Sequence, residues 1–534
     1  MSAKFLFFYL VLANIVAGLP FQNNNKTTFR AAVFEHAVTL FPPNSVVTRQ
    51  KALGNMMLNL KEYKRQAELA GDQGVDILVF PENGIFGLGL SREDLAPYLE
   101  NIIDPEKEVW NPCEDPQKHP NTEVQQYLSC LAKNNSLYIV ANFGDRQPCD
   151  ESLDPNCQVQ YQLNTDVVYD KRGVFVAKYH KINLYFEKAF DFPPVDKAVT
   201  FDTPFGVFAL AVCFDVLYYD PLVDLITNHG VRNVAFPTAW MDSLPFLAAI
   251  EFHSAFAAGL GVNFLAANIN YPPKRFHGSG IYSPQGAKQF VYNDQEAAGK
   301  LLISDLPVIH KQDDVMPPPR TPTLNAPQMT EPIYRTKLHY DLYNITLLSG
   351  TSGHVTVCHR SICCQLNYIR DNTDEVFAFG AFDGLHGTTG RYYMYLQVCT
   401  LLKCSGNGSD SCGVRTKNSK TLFHSVHITG YNFTAHIYPE VLLTRNGSLA
   451  LSVGRWKYNN GVLNAPTGFE APLVATSLYG RLYSINDTNG RESWYPINRD
   501  KSDLHNSNHG QRREYCLICL IVTYLFTLTL AKLS

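Results

Sequence analysis

Three ionisable side chains in the first half of the chain each follow directly after an apolar, β-like run. Glu82 ends the run 76–82 (DILVFPE), Lys181 ends 174–181 (VFVAKYHK) and Cys213 ends 208–213 (FALAVC). Functional groups at strand ends collect along the edge of a sheet. We therefore expect this carboxylate, amine and thiol to converge at one edge of one sheet, which limits the chain to folds that bring three distant strand ends together.

The three residue types suit nucleophilic attack on an amide. A cysteine thiol is mostly protonated at neutral pH, so a nucleophilic Cys213 needs a base, for which Glu82 is the candidate. The oxygen of an attacked amide becomes negative, and Lys181 with the backbone N–H of Phe214 are the candidate donors to it. Taken one at a time, the same residues are typical of a solvated acid, a surface charge and a small buried hydrophobe.

Two other interpretations stay open. A hydrolase of the Cys–His type would need a histidine with an orienting acid, and His180 is a candidate only because it adjoins Lys181. A catalytically silent surface glycoprotein would use the fold for adhesion or signalling, and the presence of all three chemical groups argues against it.

Four neighbouring residues are ambiguous. Trp240 either lines a substrate pocket or packs in the core, and Glu187 is either part of the site or an acid on a surface loop. Glu251 and His253 lie in the apolar run 248–256 (AAIEFHSAF). We expect both to be helix residues whose polar atoms are hydrogen-bonded, without a catalytic role.

The order of the predicted elements divides the chain. Strand-like and helical runs alternate from 29 to 306, including a helix over 47–71 and a hairpin from 166–170 and 174–178, which favours a layered α/β domain. Residues 307–332 are rich in proline and predict a linker. From 333 to 485 the pattern is β-like, and we expect a smaller disulfide-rich β domain there.

Both ends of the chain predict processing. Residues 1–18 combine a lysine, an apolar run and small residues, as in a secretory signal peptide. Residues 509–534 form a polar spacer and an apolar tail, which predicts a glycosylphosphatidylinositol (GPI) anchor attached at Asn508. The alternative is an uncleaved transmembrane helix, although the tail is only just long enough to cross a bilayer.

Cysteine usage supports the same oxidising route. Of the 13 cysteines, two lie in the tail and Cys213 is set aside as the nucleophile, which leaves ten. They form an even set before Cys213 (Cys113, Cys130, Cys149, Cys157) and an even set after it (Cys358, Cys363, Cys364, Cys399, Cys404, Cys412). Even sets are what a disulfide framework requires. The glycosylation sequons are at Asn25, Asn134, Asn344, Asn407, Asn432, Asn446 and Asn486.

Neither the net charge nor the spacing of Cys and His residues indicates a nucleic-acid or metal partner. The formal net charge is −4 and no basic cluster resembles a nucleic-acid footprint, so we expect no nucleic-acid partner. No Cys and His spacing suggests a metal site, and we expect neither metal nor cofactor.

Several segments resemble the nitrilase (carbon–nitrogen hydrolase) superfamily and, more narrowly, its branch of vanins (pantetheinases) and biotinidase. They include 79–82 (VFPE), 179–184 (YHKINL), 212–215 (VCFD), 236–240 (FPTAW), 380–386 (GAFDGLH) and 478–483 (LYGRLY). The resemblance implies an αββα sandwich followed by a β-rich vanin-type domain. It also implies a triad of Glu82 as proton acceptor, Lys181 as proton donor and oxyanion stabiliser, and Cys213 as nucleophile.

The resemblance divides over the substrate. Segments 184–191, 201–205, 247–251 and 265–268 are closer to biotinidase, whereas 130–136, 251–256 and the tail are closer to vanins. Because the first group lies nearest the expected site, we expect a secreted or surface amidohydrolase that cleaves a biotin amide such as biocytin. Pantetheine, cleaved to pantothenate and cysteamine, is the alternative. We expect a monomer that meets the membrane through its lipid anchor.

Overall fold

The computed structural model describes residues 26–41, 47–150, 152, 157, 159–309, 321–324, 328–388 and 392–485. The expected signal peptide 1–18, most of the linker 307–332 and the tail 509–534 lie outside these residues, as do Asn25, Asn486 and Asn508. No helix in the described ranges is both long enough and apolar enough to cross a membrane.

The first half alternates strands and helices, as the sequence predicts. Its strands are β1 (Thr28–Glu35), β2 (Ile77–Val79), β3 (Tyr138–Pro148), β4 (Gln160–Tyr169), β5 (Phe175–His180), β6 (Thr200–Thr203), β7 (Gly206–Leu210), β8 (Asn233–Thr238), β9 (Asn263–Asn268), β10 (Ser279–Ser283), β11 (Gly286–Val291) and β12 (Lys300–Pro307). Its helices are α1 (Arg49–Asp72), α2 (Arg92–Leu95), α3 (Glu123–Asn135), α4 (Asp224–Thr227) and α5 (Ala249–Leu260).

These strands form two six-stranded sheets. The first sheet has the order β12-β1-β2-β3-β4-β5 and the second has the order β11-β10-β9-β8-β7-β6. Each sheet is parallel at its centre, where β1, β2 and β3 or β7, β8 and β9 are neighbours. Its outer strands pair antiparallel, among them β4 and β5, the predicted hairpin.

Alternation along β2 explains how the layers stack. Val79 belongs to the same buried apolar cluster as Leu210 of β7, so this face of the first sheet packs on the second sheet. Leu78 points the other way, into a cluster with Leu60 of α1 and Leu128 of α3. On the far side of the second sheet, α5 packs with its Phe256 ring 5.3 Å from that of Phe264. The order helix, sheet, sheet, helix confirms the predicted αββα sandwich.

The start of α1 has a local cause. The side chain of Thr48 accepts a hydrogen bond from the N–H of Lys51, at 3.3 Å, and so satisfies one of the free donors of the first turn. The predicted helix 47–71 therefore begins at Arg49 and ends at Asp72.

The described part of the second half consists of β-strands and two short 3₁₀ helices, Ser409–Gly413 and Tyr483–Ile485. Its strands are β13 (Tyr334–Leu338), β14 (Asp341–Leu347), β15 (Ser352–His359), β16 (Ile362–Arg370), β17 (Phe377–Thr388), β18 (Tyr392–Lys403), β19 (Phe423–Tyr431), β20 (His436–Arg445), β21 (Ser448–Ala450), β22 (Lys457–Asn459), β23 (Val462–Ala465) and β24 (Leu473–Leu482). They form a seven-stranded sheet (β13-β14-β17-β18-β24-β20-β21) and a five-stranded sheet (β15-β16-β19-β23-β22).

Five disulfides use all ten of the cysteines reserved for them. The pairs are Cys113–Cys130, Cys149–Cys157, Cys358–Cys363, Cys364–Cys399 and Cys404–Cys412. No pair crosses between the set before Cys213 and the set after it, so the predicted division is confirmed. Cys364 lies on β16 and Cys399 on β18, so that bond ties the two sheets of the second half together. Within the described residues Cys213 is the free cysteine.

The two halves pack directly on each other, and all described residues belong to one compact unit. The ring of Tyr438 on β20 stacks 5.3 Å from Phe256 of α5. Gly259 allows the close approach, since a Cβ there would lie 2.6 Å from the backbone oxygen of Ile437. The helix that covers the second sheet is therefore itself covered by the β half.

Glu251 and His253 lie in a helix, as predicted, but the prediction that their polar atoms are hydrogen-bonded is wrong. Both residues are fully buried, yet neither carboxylate oxygen of Glu251 and neither ring nitrogen of His253 has a hydrogen-bond partner among the described residues. Burial raises the pKa of Glu251 well above its ordinary value and lowers the pKa of His253 to about 3, so both side chains are neutral. The apolar pattern of α5 correctly predicts burial but carries no information about polar partners.

The described sequon asparagines differ in exposure. Asn134, Asn407 and Asn446 are exposed. Asn344 is partly buried and donates its side-chain N–H to the backbone oxygen of Cys358, at 2.8 Å, while Asn432 donates to the backbone oxygen of Leu324, at 3.4 Å.

Candidate active site

The three strand-end residues meet, but at the junction of two sheets. Glu82 follows β2 and Lys181 follows β5, both in the first sheet, whereas Cys213 follows β7 in the second. The expectation of one edge of one sheet is therefore wrong. Both sheets present their strand ends at the same end of the sandwich because they pack face to face.

Lys181 and Glu82 form a buried ion pair. Each side chain is 1% exposed, and Lys181 Nζ donates to Glu82 Oε1 at 2.7 Å. Glu82 also accepts from Asn164 Nδ2 on Oε1 and from the backbone N–H of Ala239 on Oε2, both at 2.8 Å. Three donors therefore fix the orientation of the carboxylate.

A second carboxylate shares the same lysine. Glu187 Oε1 accepts a hydrogen bond from Lys181 Nζ and another from the backbone N–H of Tyr185, at 3.1 Å. Its Oε2 accepts from Asn164 Nδ2 at 2.8 Å. The side chain is 16% exposed, so the interpretation of Glu187 as a surface acid is wrong.

Burial and charge set the protonation of this cluster. Burial opposes the charge on Lys181, but Glu187 and Glu82 outweigh it and raise the pKa of Lys181 well above its ordinary value. Burial raises the pKa of Glu187, an effect that Glu82 reinforces and Lys181 opposes. Lys181 is therefore a permanent cation between two acids.

Cys213 stands on a tight turn. It begins a short 3₁₀ segment, Cys213–Leu217, with a left-handed backbone (φ 48°), and it is 8% exposed. Asp215 holds the turn, because its carboxylate accepts the N–H of Val212 at 2.9 Å and the hydroxyl of Tyr179 at 2.8 Å. A non-glycine residue in this conformation is costly and persists only when its surroundings hold it.

The Cys213 thiol is protonated in the resting site. Burial raises its pKa above the ordinary value, the carboxylate of Glu82 raises it further, and Lys181 opposes both. A nucleophilic role therefore requires removal of the proton as attack proceeds, rather than a standing thiolate.

The cluster opens into a cavity of about 290 Å³. Its lining includes Glu82, Lys181, Glu187 and Cys213, together with aromatic side chains of Tyr185, Phe214, Trp240 and Phe276. Trp240 thus lines a pocket, and its indole N–H donates to the backbone oxygen of Leu247 at 2.9 Å. His339 and Tyr340, from the turn between β13 and β14, complete the lining from the β half.

His180 does not join this cavity. Its Nε2 lies 2.8 Å from Asp145 Oδ2, and its side chain lines a separate crevice together with Lys178. The Cys–His interpretation therefore loses the histidine on which it depended.

The β half also holds the loops that carry the cluster. The hydroxyl of Tyr392, on β18, donates to the backbone oxygen of Leu184 at 3.1 Å and accepts the N–H of Phe186 at 3.0 Å. Arg481, on β24, donates to the backbone oxygen of Leu217 at 3.2 Å. The loop after Lys181 and the turn after Cys213 are thus each tied to a residue more than 200 positions away.

Asn164 and Asn142 are site residues that the sequence reasoning missed. Asn164 Nδ2 bridges Glu82 and Glu187, and Asn142 Nδ2 donates to Asn164 Oδ1 at 2.7 Å. For Asn142 the available signal was an amide side chain directly after the apolar run 138–141 (YIVA). In the described ranges, no group of three or more His, Cys, Asp and Glu side chains has the arrangement of a metal site.

Comparison with known proteins agrees with this geometry. The carbon-nitrogen hydrolase family matches residues 42–251, and the vanin C-terminal domain matches residues 334–486. The pantetheinase of Homo sapiens is 43% identical over 468 residues, which cover 86% of this chain and 90% of that protein. The biotinidase of Takifugu rubripes is 40% identical over 88% of this chain and 97% of that protein, and that of Mus musculus is 38% identical over 90% and 98%.

Identities of 38–43% over most of this chain and most of each relative show membership of one family. The chain therefore belongs to the carbon–nitrogen hydrolase (nitrilase) family, in the branch of the pantetheinases and biotinidases, and it is a hydrolase of carbon–nitrogen bonds in small-molecule amides.

Proposed function

We propose that the chain hydrolyses the linear amide of a vitamin conjugate through a thioester on Cys213. The buried cluster of Glu82, Lys181 and Glu187, opening with Cys213 into one cavity, is the observation that carries this proposal. It supplies a base, a fixed cation and a nucleophile within a site of low solvent exposure, where electrostatic interactions are strong.

The proton route follows from the charges. Glu82 accepts the thiol proton as Cys213 Sγ attacks the carbonyl carbon, and Lys181 stabilises the negative oxygen that forms. The carbon–nitrogen bond then breaks, and Glu82 returns the proton to the leaving amine. Glu82 next accepts a proton from water, whose hydroxide attacks the thioester, and the carboxylic acid leaves as the proton returns to the Cys213 sulfur.

A biotin amide such as biocytin is the first substrate of this proposal, supported by the segments nearest the site. Pantetheine is the second candidate, since the pantetheinase of Homo sapiens is 43% identical to this chain and the biotinidase of Takifugu rubripes is 40% identical. Sequence identity therefore does not favour the biotin amide.

Incubation of the purified, disulfide-intact protein with biocytin and with pantetheine tests the proposal. Release of lysine or cysteamine is quantified, and Cys213→Ala serves as the control because it removes only the thiol of a small side chain. We expect one substrate to be cleaved by the wild type and neither by the variant. Activity retained by Cys213→Ala, or no amine released by the wild type, would refute the proposal.

We also propose that the protein matures in the secretory pathway and acts outside the cell as a monomer. The five disulfides support this route, since such bonds persist in oxidising compartments. The lipid anchor at Asn508 stays a prediction.

A further inference from the structure

The charges that line the cavity fall into two groups. At its floor, Glu82 and Glu187 share the single cation Lys181. Arg275 also lines the cavity but is exposed, so it lies at the mouth. Its guanidinium contacts the sulfur of Met241 at 3.5 Å and has no ion pair with an acid among the described residues. Within the described part of the chain, the mouth therefore presents a cation without an acid partner, whereas the acids at the floor are already paired with Lys181.

The backbone holds Arg275 in this position. Residue 275 has a left-handed conformation (φ 63°), donates its N–H to the oxygen of Pro272 at 2.8 Å and accepts the N–H of Asp242 at 3.0 Å. Asp242 belongs to the loop that carries Trp240 and Met241, so Arg275 is fixed relative to one wall of the cavity. Only its side chain is left to reach a ligand.

Another part of the lining comes from the β half. His339 and Tyr340 form a two-residue turn in which both φ angles are positive, 48° and 79°. His339 Nε2 lies 3.1 Å from Ser243 Oγ, and its ring stacks 5.1 Å from that of His386. Burial, with the nearby His386 and Arg415, lowers the pKa of His339 well below its ordinary value, so this residue adds no charge.

The second residue of this turn, Tyr340, contacts an arginine of the β half. Its side chain is half exposed, and its hydroxyl accepts a hydrogen bond from Arg415 Nη2 at 3.4 Å. The acid nearest in sequence, Asp341, has its Oδ2 2.6 Å from His386 Nδ1 and is engaged there. Arg275 is thus the arginine in the cavity lining, Arg415 lies behind Tyr340 outside that lining, and the acids Glu82 and Glu187 lie at the floor.

The direction of the reaction decides which part of a substrate meets Arg275. In a thioester mechanism the acyl group stays on Cys213 while the amine departs, so the amine must lie on the side that opens to water. A departing amine therefore passes Arg275 and Tyr340, whereas the acyl group occupies the enclosed part of the cavity.

We propose that the mouth subsite, defined as Arg275 and Tyr340, binds a carboxylate on the leaving-amine part of the substrate. This inference rests on the proposed function and deepens it. A guanidinium is permanently charged and matches the planar carboxylate in shape and hydrogen bonding. Biocytin carries such a carboxylate on its lysine, whereas the cysteamine part of pantetheine does not.

Two matched pairs of amides test the inference. Biocytin and biocytinamide differ only in a carboxylate against a carboxamide, and N-pantothenoylcysteine differs from pantetheine only by an added carboxylate. We expect kcat/KM of the wild type to favour the carboxylate member of the accepted pair at least about fivefold, the size of a favourable pair at a partly exposed site. The preference should shrink as salt is added.

Three variants locate the effect. Arg275→Gln should abolish the preference and Arg275→Glu should invert it. Lys274→Gln, which removes an exposed charge from the neighbouring residue, should leave it intact. A wild type without preference, or an unchanged ratio in Arg275→Gln, would overturn the inference while the proposed function stands. Failure to cleave any of the four amides would overturn both.

Discussion

Replacement of Lys181 by methionine tests the electrostatics of the site most directly. Met has a similar length but no charge, and Lys181 is the cation that Glu82 and Glu187 share. Without it, two buried carboxylates face each other with only neutral donors from Asn164, Ala239 and Tyr185. Loss of one partner of a buried ion pair costs about 3–5 kcal/mol of the free energy of unfolding.

The loss of stability in Lys181→Met should depend on pH in a defined direction. Burial and Glu82 already raise the pKa of Glu187 above its ordinary value of 4.5, and without the opposing charge of Lys181 this pKa rises further. The folded protein then binds more protons than the unfolded chain, so its stability falls as pH rises from that value through the folded pKa. The deficit relative to wild type is therefore largest at neutral pH and smallest near pH 4.5.

The double variant Lys181→Met/Glu187→Gln separates charge balance from catalysis. It removes one carboxylate together with the cation, so we expect it to recover at least about 2 kcal/mol of the loss at pH 7, a coupling typical of directly interacting groups. Turnover should stay at least about a hundredfold below wild type in both variants, because neither can stabilise the oxyanion.

Urea unfolding of the disulfide-intact protein at pH 7 and pH 5, followed by tryptophan fluorescence, measures the stabilities, with Glu187→Gln as the single-variant control. Amide hydrolysis is measured on the same samples. The reasoning is refuted if Lys181→Met matches the wild type in stability at pH 7, or if the double variant is no more stable than the single one.

Three further predictions concern the loops, the buried histidine and the membrane. Tyr392→Phe removes the hydroxyl that holds the backbone of residues 184 and 186, at a cost of about 1–3 kcal/mol. We expect it to lower kcat more than it changes KM, and an unchanged kcat would contradict the positioning role. In His253, the folded pKa of about 3 lies below the unfolded value, so stability is lost as pH falls from about 6.5 towards 3, by about 2 kcal/mol on reaching pH 5. In His253→Met, the difference in the free energy of unfolding between pH 7 and pH 5, measured by urea titration, should be smaller than in the wild type. An unaltered difference would contradict the assignment of this pH dependence to His253. Finally, phosphatidylinositol-specific phospholipase C should release active enzyme that lacks Cys516, whereas a protein that keeps its tail and its membrane attachment would instead have a transmembrane span.

Local patterns in the sequence were sufficient to locate the three strand-end residues of the candidate site. Each of Glu82, Lys181 and Cys213 ends a run whose apolar character marks a buried strand, and the structure has strands at 77–79, 175–180 and 206–210 just before them. The even division of the cysteines likewise predicts the disulfide sets, because pairing requires even numbers wherever the chain folds. These features depend on neighbouring residues or on counting, and both can be read along the chain.

The partners of those residues were decided by the tertiary structure. Cys213 follows a strand of the second sheet, whereas Glu82 and Lys181 follow strands of the first, and Glu187 turns inward to share Lys181. Nothing in the local pattern distinguishes Glu187 from a loop acid, because its burial comes from packing against other segments of the chain.

The sequence also did not predict that residues of the β half contact the site. Tyr392 reaches the loop at residues 184 and 186, and His339 reaches Ser243, across 206 to 208 and 96 positions. Such contacts depend on how two independently patterned halves dock, which buries apolar surface of both at once. Strand periodicity determines which face of an element is buried, whereas only the packed structure determines what that face meets.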